Sequence, residues 1–426
     1  MAIVAIVIFV AAYVLLVTEK IHRTKVALGG AALMLLLHIT DAEKAFFDLH
    51  TGIEWNVIFL LFGMMVIVSV LRQTGVFEYV AIWAAKRSRG RPYLLMILLV
   101  LLTAFASALL DNVTTVLLIA PVTFLVCDRL GLRTAPYLMA EVFASNIGGA
   151  ATLVGDPPNI IIASPANADL EFNDFLVHMA PIIVLLLAVY CLLCRVLFRS
   201  AFTYDPERAE SVMALNEKEA ITEPALLVKA LVVLAIVVAA FVLHPWLHYD
   251  PAVVALLGAG LLILITSVTT EQALEEVEWP TLLFFAGLFI MVGGLVETGV
   301  IGDISEFTAE QTEDRLPLAT MVLLFGSAVL SAIVDNIPYV TSMSPIVGDL
   351  VASQGSDGGV LWWALALGAD LGGNATAIGA SANVVALGIA ARQGQPITFW
   401  EFTKYGLVVT AVTVSLCAPY LWLRYL

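Results

Sequence analysis

The sequence contains little charge. Charged residues make up 13% of its 426 residues, whereas 61% are hydrophobic; soluble domains carry about 25% charged residues. The 20 lysines and arginines form no basic patch suited to nucleic acid, so no nucleic-acid partner is expected. Many apolar stretches have the length that crosses a bilayer. The composition therefore predicts an all-α, polytopic membrane protein embedded in lipid.

Several motifs of enzymes and pumps are also missing. There is no Walker A or zinc-protease motif, so ATP is not the expected energy source and no metal site is predicted. The four cysteines lie in or beside apolar segments and are expected to be ordinary buried thiols. No nucleophile–base pair and no cofactor motif is evident, so an enzyme is not expected. The apolar N-terminus predicts a first span rather than a cleaved signal peptide.

Two polar stretches interrupt otherwise apolar runs. The first, at 146–159, reads Asn-Ile-Gly-Gly-Ala-Ala-Thr-Leu-Val-Gly-Asp-Pro-Pro-Asn. The second, at 372–383, reads Gly-Gly-Asn-Ala-Thr-Ala-Ile-Gly-Ala-Ser-Ala-Asn. Glycine and paired prolines break helices. Because unpaired backbone groups at membrane depth are tolerated only inside protein or beside water, each break predicts a cavity.

The remaining apolar runs predict the spans. Broken helices are expected at 134–165 and 360–391. Two longer blocks, at 93–127 and 317–351, carry a polar tip at their middle; we interpret each as a re-entrant hairpin, with two full spans as the alternative. The other predicted spans are 3–18, 26–39, 55–72, 177–198, 225–243, 250–267, 279–296 and 404–424.

The second half of the sequence repeats the first in one register. Residues 54–159 align without a gap with 278–383, so that each position matches the one 224 residues later. The matches include Asp111-Asn112 with Asp335-Asn336, and the glycines, threonine and asparagine of the two breaks. This pattern predicts a first repeat at 1–198, a cytoplasmic linker at 199–224 and a second repeat at 225–426.

The positions of lysine and arginine predict the orientation. If each apolar block is a hairpin, each half has five spans, and an odd number makes the two repeats inverted. With the N-terminus outside, 17 of the 20 basic residues lie inside, and only Lys44, Arg315 and Arg424 lie outside. Inverted repeats with broken helices at the centre are typical of secondary transporters. We expect a multi-pass protein of the cell membrane with both termini outside.

Polar residues at the tips and breaks form the predicted site. Carboxylates inside a membrane are costly and indicate function, although helix capping is the alternative for the aspartates. The predicted proton-coupling groups are Asp111, Asp335 and Glu141, and the coupling ion is expected to be H⁺ or Na⁺. The predicted substrate- or ion-binding set is Asp111, Asn112, Thr115, Asn146, Thr152, Asp156, Asn159, Asp335, Asn336, Asp370, Asn374, Thr376, Ser381 and Asn383.

These motifs resemble a known family. Asp111-Asn-Val-Thr-Thr115, Glu141-Val142 and the two breaks are similar to the ArsB/NhaD branch of the ion transporter superfamily, which includes the pink-eyed dilution (P) protein and prokaryotic relatives. The resemblance spans nearly the whole chain. It implies an elevator-type homodimer, in which scaffold helices at 1–72 and 177–296 hold a transport domain made of the hairpins, the broken helices and the last span.

The resemblance also implies a function. Arsenite or antimonite efflux, driven by a proton or sodium gradient, is the leading expectation, with an arsenite-stimulated ATPase as a further partner. Sodium–proton antiport, dicarboxylate-like anion symport and an ion channel are the alternatives. Related dicarboxylate carriers have Ser-Asn-Thr at the tips, whereas Asp111 and Asp335 occupy them here. This difference favours a small inorganic ion, an oxyanion or a neutral hydroxide, and asparagine at either position is expected to abolish coupled transport.

Overall fold

The computed structural model describes residues 1–18, 20–164, 167–168, 170–214, 216–275, 277–312, 315–355 and 358–426. These residues form 23 α-helices and two 3₁₀ turns, and no β-strand occurs among them. Seven of the described helices are long and apolar enough to cross a membrane, judged by length and composition. The predicted all-α, multi-pass architecture is confirmed at that level.

The helices of the first half follow the predicted spans. Proline occupies the first turn of α6, α9 and α11, as listed below, where its missing amide costs no hydrogen bond. The helices are α1 (Ala2–Thr18), α2 (Arg23–Leu36), α3 (Ala42–Phe47), α4 (Trp55–Gln73), α5 (Val76–Arg87), α6 (Pro92–Leu109), α7 (Asn112–Leu130), α8 (Thr134–Gly149), α9 (Pro157–Ala163), α10 (Phe172–His178) and α11 (Ala180–Leu197).

The second half repeats this order after a short helix in the linker. Five helices of four to eight residues, α3, α10 and, as listed below, α12, α14 and α16, are not predicted by the sequence, because so few residues carry no periodic signal. The helices are α12 (Pro206–Met213), α13 (Pro224–Val242), α14 (His244–Leu247), α15 (Pro251–Ile265), α16 (Thr270–Glu275), α17 (Trp279–Glu297), α18 (Val300–Thr312), α19 (Leu316–Ser331), α20 (Asn336–Gln354), α21 (Val360–Gly372), α22 (Ser381–Arg392) and α23 (Phe399–Tyr425).

Each apolar block divides at its predicted polar tip. Asp111 caps α7, since its Oδ1 accepts a hydrogen bond from the Thr114 amide at 2.8 Å. Asp335 caps α20 in the same way, accepting from the Ile337 amide at 3.1 Å. The helices on either side of the tips have 16 to 19 residues. Because α6 and α7 are each long enough to span a membrane, the re-entrant hairpin stays a prediction.

Helices of the two halves pack on one another in matching pairs. One set of pairs lies away from the breaks: α2 of the first half packs on α17 of the second, and α15 of the second half packs on α4 of the first. Around the breaks such pairs recur, because α7 packs on α22 and α20 packs on α9. Each capped tip therefore lies against the break of the other half, which brings the polar residues of both halves together.

Close backbone approach at each break requires glycine. A Cβ added to Gly149 would lie 2.6 Å from the carbonyl oxygen of Gly155, and one added to Gly155 would lie 2.5 Å from that of Gly149. Gly373 and Gly379 form the equivalent pair in the second half, at 3.0 and 2.8 Å. The loop within each break thus closes on itself, which fixes the polar side chains that it carries.

The linker is docked against the first half. The Thr222 amide donates to the Thr74 carbonyl at 3.1 Å, and the Thr222 hydroxyl donates to the Gln73 carbonyl at 2.8 Å. Lys86 Nζ lies 2.5 Å from Glu217 Oε2, and this hydrogen bond lowers the pKa of the Glu217 carboxyl. The described part of 199–224 is therefore a fixed structural element rather than a free tether.

Two equivalent glycines test this docking. Gly75 and Gly299 have similar positive φ angles of 76° and 79°, so alanine causes similar backbone strain at both. A Cβ on Gly75 would lie 1.9 Å from the Ala220 carbonyl oxygen in the linker, whereas no described atom lies within 4 Å of one on Gly299. We expect Gly75→Ala to lower the unfolding free energy by about 1–3 kcal/mol more than Gly299→Ala does. Thermal unfolding in detergent measures this difference, and equal effects would contradict the docking.

Candidate functional site

Eight buried polar residues form a central cluster where the tips and breaks of the two halves meet. Each is exposed by 3% or less, although the residues come from distant parts of the chain. Hydrogen bonds connect most of them across the two halves. The members of this central cluster are Asn112, Asn146, Asp156, Asn159, Asn336, Asp370, Asn374 and Asn383. All eight belong to the predicted site, which the structure thus brings largely to one place.

The carboxylate of Asp156 accepts hydrogen bonds from one asparagine at each tip. Its Oδ2 accepts a hydrogen bond from Asn112 Nδ2 at 2.9 Å, and Asn336 Nδ2 lies 3.4 Å from both of its carboxylate oxygens. Asp156 occupies the cap position of α9, yet its side chain makes no capping hydrogen bond. Helix capping therefore does not explain this carboxylate, in contrast to the two tip aspartates.

The Asn146 side chain makes hydrogen bonds to three other asparagines of the central cluster. Its Nδ2 donates to Asn374 Oδ1 at 2.9 Å and to Asn383 Oδ1 at 3.0 Å, both in the other half. Its Oδ1 accepts from Asn112 Nδ2 at 3.2 Å. Asn383 Nδ2 in turn donates to the Gly373 and Thr376 carbonyls at 2.8 Å. The side-chain amides thus bind one break to the other.

Neither carboxylate oxygen of Asp370 makes a hydrogen bond of normal length and angle with a described residue, although Asp370 is fully buried. The Asn159 side chain lies beside it, but Asn159 Oδ1 is also buried without a partner, and its Nδ2 donates instead to the Thr152 carbonyl at 3.1 Å. The charge of Asp370 acts directly on Asp156. An unpaired carboxylate is costly in such surroundings, so Asp370 requires a proton or a cation that the described side chains do not supply.

Two of the three predicted threonines donate hydrogen bonds to backbone carbonyls. Thr152 Oγ1 donates to the Ala108 carbonyl at 2.5 Å, and Thr376 Oγ1 donates to the Ala332 carbonyl at the same distance. The two contacts are related by the 224-residue register. Thr115 differs, since its buried Oγ1 has no partner in the described chain.

Asp335 and Ser381 lie at the edge of the cluster, beside a residue that the sequence does not single out. Ser381 Oγ donates to Asp335 Oδ2 at 2.6 Å. Arg23, the first residue of α2, donates through Nη1 to Ser381 Oγ, and the same nitrogen lies 4.0 Å from Asp335 Oδ2. In the sequence Arg23 is one of many basic residues near a span end, and only the tertiary structure distinguishes it.

Glu278 is a second residue that sequence reasoning misses. Its Oε2 accepts from Thr281 Oγ1 at 3.0 Å, and the charges of Asp111 and Arg23 both act on it. Its counterpart Glu54 is 7% exposed, with Oε1 unpartnered among the described atoms. The recurrence of glutamate at the same register position in both halves is the signal that could have found this pair.

Glu141 lies apart from the central cluster. Its Oε1 accepts a hydrogen bond from Thr123 Oγ1 of α7 at 2.6 Å. Its Oε2 is buried without a partner in the described structure, and the residue is 2% exposed. A role of Glu141 in proton coupling stays a prediction. Because its hydrogen bond is to Thr123 of α7, such a role would be carried out outside the central cluster.

Comparison with known proteins identifies the family. The model of the citrate transporter family, CitMHS, matches residues 13–368. An uncharacterized transporter of Mycobacterium tuberculosis is 59% identical over 427 residues, covering 100% of this chain and 99% of that protein. A 46 kDa membrane protein of Mycobacterium leprae is 57% identical over 429 residues, with the same coverage.

More distant relatives agree. The human P protein is 34% identical over 95% of this chain, which spans 58% of that protein; the predicted resemblance to the P protein is confirmed, while the ArsB/NhaD branch stays a prediction. The YdaH transporter of Alcanivorax borkumensis shares the fold, with a TM-score of 0.61 at 16% identity, covering 94% of this chain and 96% of that chain. The family, the Mycobacterium tuberculosis relative and the YdaH protein are named as transporters, which agrees with the prediction that the chain is not an enzyme. This multi-pass membrane protein belongs to the citrate transporter (CitMHS) family.

Proposed function

We propose that the protein is a secondary active transporter whose coupling ion, H⁺ or Na⁺, binds between Asp156 and Asp370. The observation that carries this proposal is a group of buried oxygens that have no hydrogen-bond partner of normal geometry in the described part of the chain. Two are from the Asp370 carboxylate and one is from Asn159. Asp156 adds a second carboxylate, on which the negative charge of Asp370 acts. A proton neutralises such a pair directly, and oxygen ligands at broken helices also suit Na⁺.

The charge around the central cluster supports a cation. Asp111 and Asp335 also act electrostatically on Asp156, so four carboxylates contribute to one region. Among the described residues, the basic side chain that pairs with any of the four is Arg23, at the Asp335 edge. The amides of Asn112 and Asn336 donate to Asp156 without neutralising it. A bound cation would offset the remaining repulsion.

We further propose that the two halves are inverted repeats that move as an elevator in a homodimer. The reciprocal packing of α2 on α17 and of α15 on α4 supports two halves related by an internal symmetry. In this scheme α2, α4, α15 and α17 belong to the scaffold, and the capped tips and breaks move with the ion. Both termini would lie on the extracellular side of the cell membrane, and the linker at 199–224 would lie on the cytoplasmic side.

The solute is a separate question from the coupling ion. Arsenite and antimonite, as neutral hydroxides, are the solutes that the sequence favours, and the amides of the central cluster offer them donors and acceptors. The family name adds citrate, and the dicarboxylate-like alternative belongs to the same anion class. An anion placed beside Asp156 and Asp370 would need a cation bound first, so the proposed coupling ion is a precondition for that class.

Sodium–proton exchange is a second candidate. It is favoured by the composition of the central cluster, whose two charged members are both carboxylates, so that the cation alone can be the cargo. In that case each transport cycle exchanges Na⁺ for H⁺ at Asp156 and Asp370, and no further solute is needed.

Reconstitution into liposomes tests the proposal. Arsenite, citrate, a dicarboxylate and Na⁺ are supplied separately under imposed pH or sodium gradients, with Asp156→Asn as the site variant. We expect wild-type flux of one solute to follow an imposed gradient of the coupling ion, and Asp156→Asn to remove that dependence. Na⁺ flux that follows the pH gradient without another solute identifies the exchanger. Unitary currents, or flux indifferent to both gradients, would contradict a carrier.

A further inference from the structure

Arg23 makes contacts that span two groups of helices. It begins α2, which packs on α17, and its Nη2 donates to Thr281 Oγ1 of α17 at 3.2 Å. Its guanidinium lies over the Phe284 ring, 5.5 Å from the centroid. The other side of the same guanidinium reaches Ser381 and Asp335, which belong to α22 and the tip of α20. Arg23 therefore connects the N-terminal helices to the moving part of the proposed site.

The carboxylate of Asp335 is in contact with a positive charge and two hydrogen-bond donors. Asp335 Oδ1 accepts from the Ile337 amide and Oδ2 accepts from the Ser381 hydroxyl. The positive charge nearest to Oδ2 in the described chain is Arg23 Nη1, at 4.0 Å. The side chains are 30% and 23% exposed, so neither partner is fully enclosed by the described chain.

A cavity of about 310 Å³ opens onto this pair. It is lined by Arg23, Asp335, Ser381, His22 and apolar residues that include Ile378. This volume accommodates a hydrated monovalent ion. An ion entering the cavity thus meets the Asp335 carboxylate with the Arg23 guanidinium already beside it.

The equivalent tip in the first half has no such arginine contact among the described residues. Asp111 matches Asp335, but within the described part of the chain it forms no ion pair with a basic residue. Its charge acts instead on Glu278, an acidic neighbour. Pro157 stands where Ser381 provides a hydroxyl. The arginine contact is therefore specific to one tip and is not a consequence of the duplication.

We propose that Arg23 is a tethered counter-cation that occupies the Asp335 tip in this conformation and is displaced when a mobile cation reaches the cavity. This role rests on the cation coupling proposed above. Displacement would break the contacts of Arg23 with Ser381 and Asp335, which join α2 to α20 and α22. Arg23 is thus a positioning residue that makes release of the tip depend on the ion.

The first test is the affinity for the coupling ion. We expect Arg23→Gln to lower the half-saturating concentration of H⁺ or Na⁺ about threefold or more, since the competing charge is gone. Arg23→Lys retains that charge and should stay near the wild-type value. Lys25→Gln removes an exposed charge from the same helix and is the matched control. A reduced maximal rate with an unchanged half-saturating concentration in Arg23→Gln would overturn the proposal.

A second measurement does not depend on transport. The probe is Ile378→Cys in a chain whose four native cysteines are replaced. The labelling rates of this cysteine by a cationic and by an uncharged methanethiosulfonate are measured, and their ratio reports the electrostatic potential in the cavity. We expect Arg23→Gln to raise the cationic-to-uncharged rate ratio about threefold or more, and Arg23→Lys and Lys25→Gln to leave it unchanged. If wild type shows no ion-coupled flux, the proposed function fails and this ratio still decides the role of Arg23. An unchanged ratio in Arg23→Gln, or an equal rise in Arg23→Lys, would refute a charge-based role.

Discussion

Asp370→Asn is expected to eliminate ion-coupled transport while leaving the fold intact. Both Asp370 oxygens are buried without a hydrogen bond of normal geometry among the described residues, so the substitution removes a charge and disturbs only the neighbouring Asn159 side chain. Losing a charged ligand from a buried site costs about 2 kcal/mol or more in binding, or roughly 30-fold in affinity. We expect flux at a fixed sodium or proton gradient to fall accordingly.

Thermal stability distinguishes this loss from misfolding. Removing an unpaired buried charge should leave the melting temperature in detergent equal to or above that of wild type when no coupling ion is present. Wild type should be stabilised by the coupling ion, because a ligand that binds the native state raises its stability, and Asp370→Asn should lose that response. Asp349→Asn removes an exposed carboxylate from α20 and is the matched control. Normal coupling in Asp370→Asn would exclude Asp370 as a ligand.

Asn146→Ala is expected to cause the largest loss of stability. Asn146 Nδ2 supplies a hydrogen bond to both Asn374 Oδ1 and Asn383 Oδ1, at 2.9 and 3.0 Å. All three residues are fully buried, so alanine leaves two acceptors without this donor. Each buried unsatisfied group costs about 1–3 kcal/mol. We therefore expect a total of about 2–6 kcal/mol for the two acceptors, measured by thermal or denaturant unfolding in detergent.

A matched asparagine outside the cluster provides the comparison. Asn167 Nδ2 donates to the Ile161 carbonyl at 2.8 Å and to Ser164 Oγ at 3.1 Å, in a half-buried position. Asn167→Ala deletes two donated hydrogen bonds, the same number that Asn146 donates, but water can replace them, so a loss of about 1 kcal/mol is expected. If Asn146→Ala and Asn167→Ala destabilise the protein equally, Asn146 does not bind the two halves together.

The spans and the breaks could be predicted because their signals are local. Apolar runs and helix-breaking glycines and prolines act over one or two turns, so α4, α17 and the two interruptions lie close to their expected positions. The division of each block at an aspartate followed by asparagine also follows from capping, which involves neighbouring residues. The polar tips and breaks identified the eight residues that meet in the central cluster, and the aligned register pairs six of them, even though they are far apart in the sequence.

The roles within the site could not be predicted in the same way. Sequence reasoning assigned proton coupling to Asp111, Asp335 and Glu141. In the structure the two tip aspartates cap helices, and the unpartnered carboxylate is Asp370. Whether a carboxylate is satisfied depends on which donors from other helices reach it. No pattern along one segment contains that information, and the coupling role of each group stays a prediction for transport experiments.

By itself, the sequence determined that this chain is helical, that it lies in a membrane and that a duplicated pair of broken helices carries its polar residues. These properties follow from composition and from periodicity within each segment. Only the tertiary structure decided that α7 packs on α22 and α20 on α9, that Asn146 joins the two breaks, and that Arg23 reaches Asp335. Such contacts depend on helix packing between distant segments, where shape and unsatisfied polar groups select the partner.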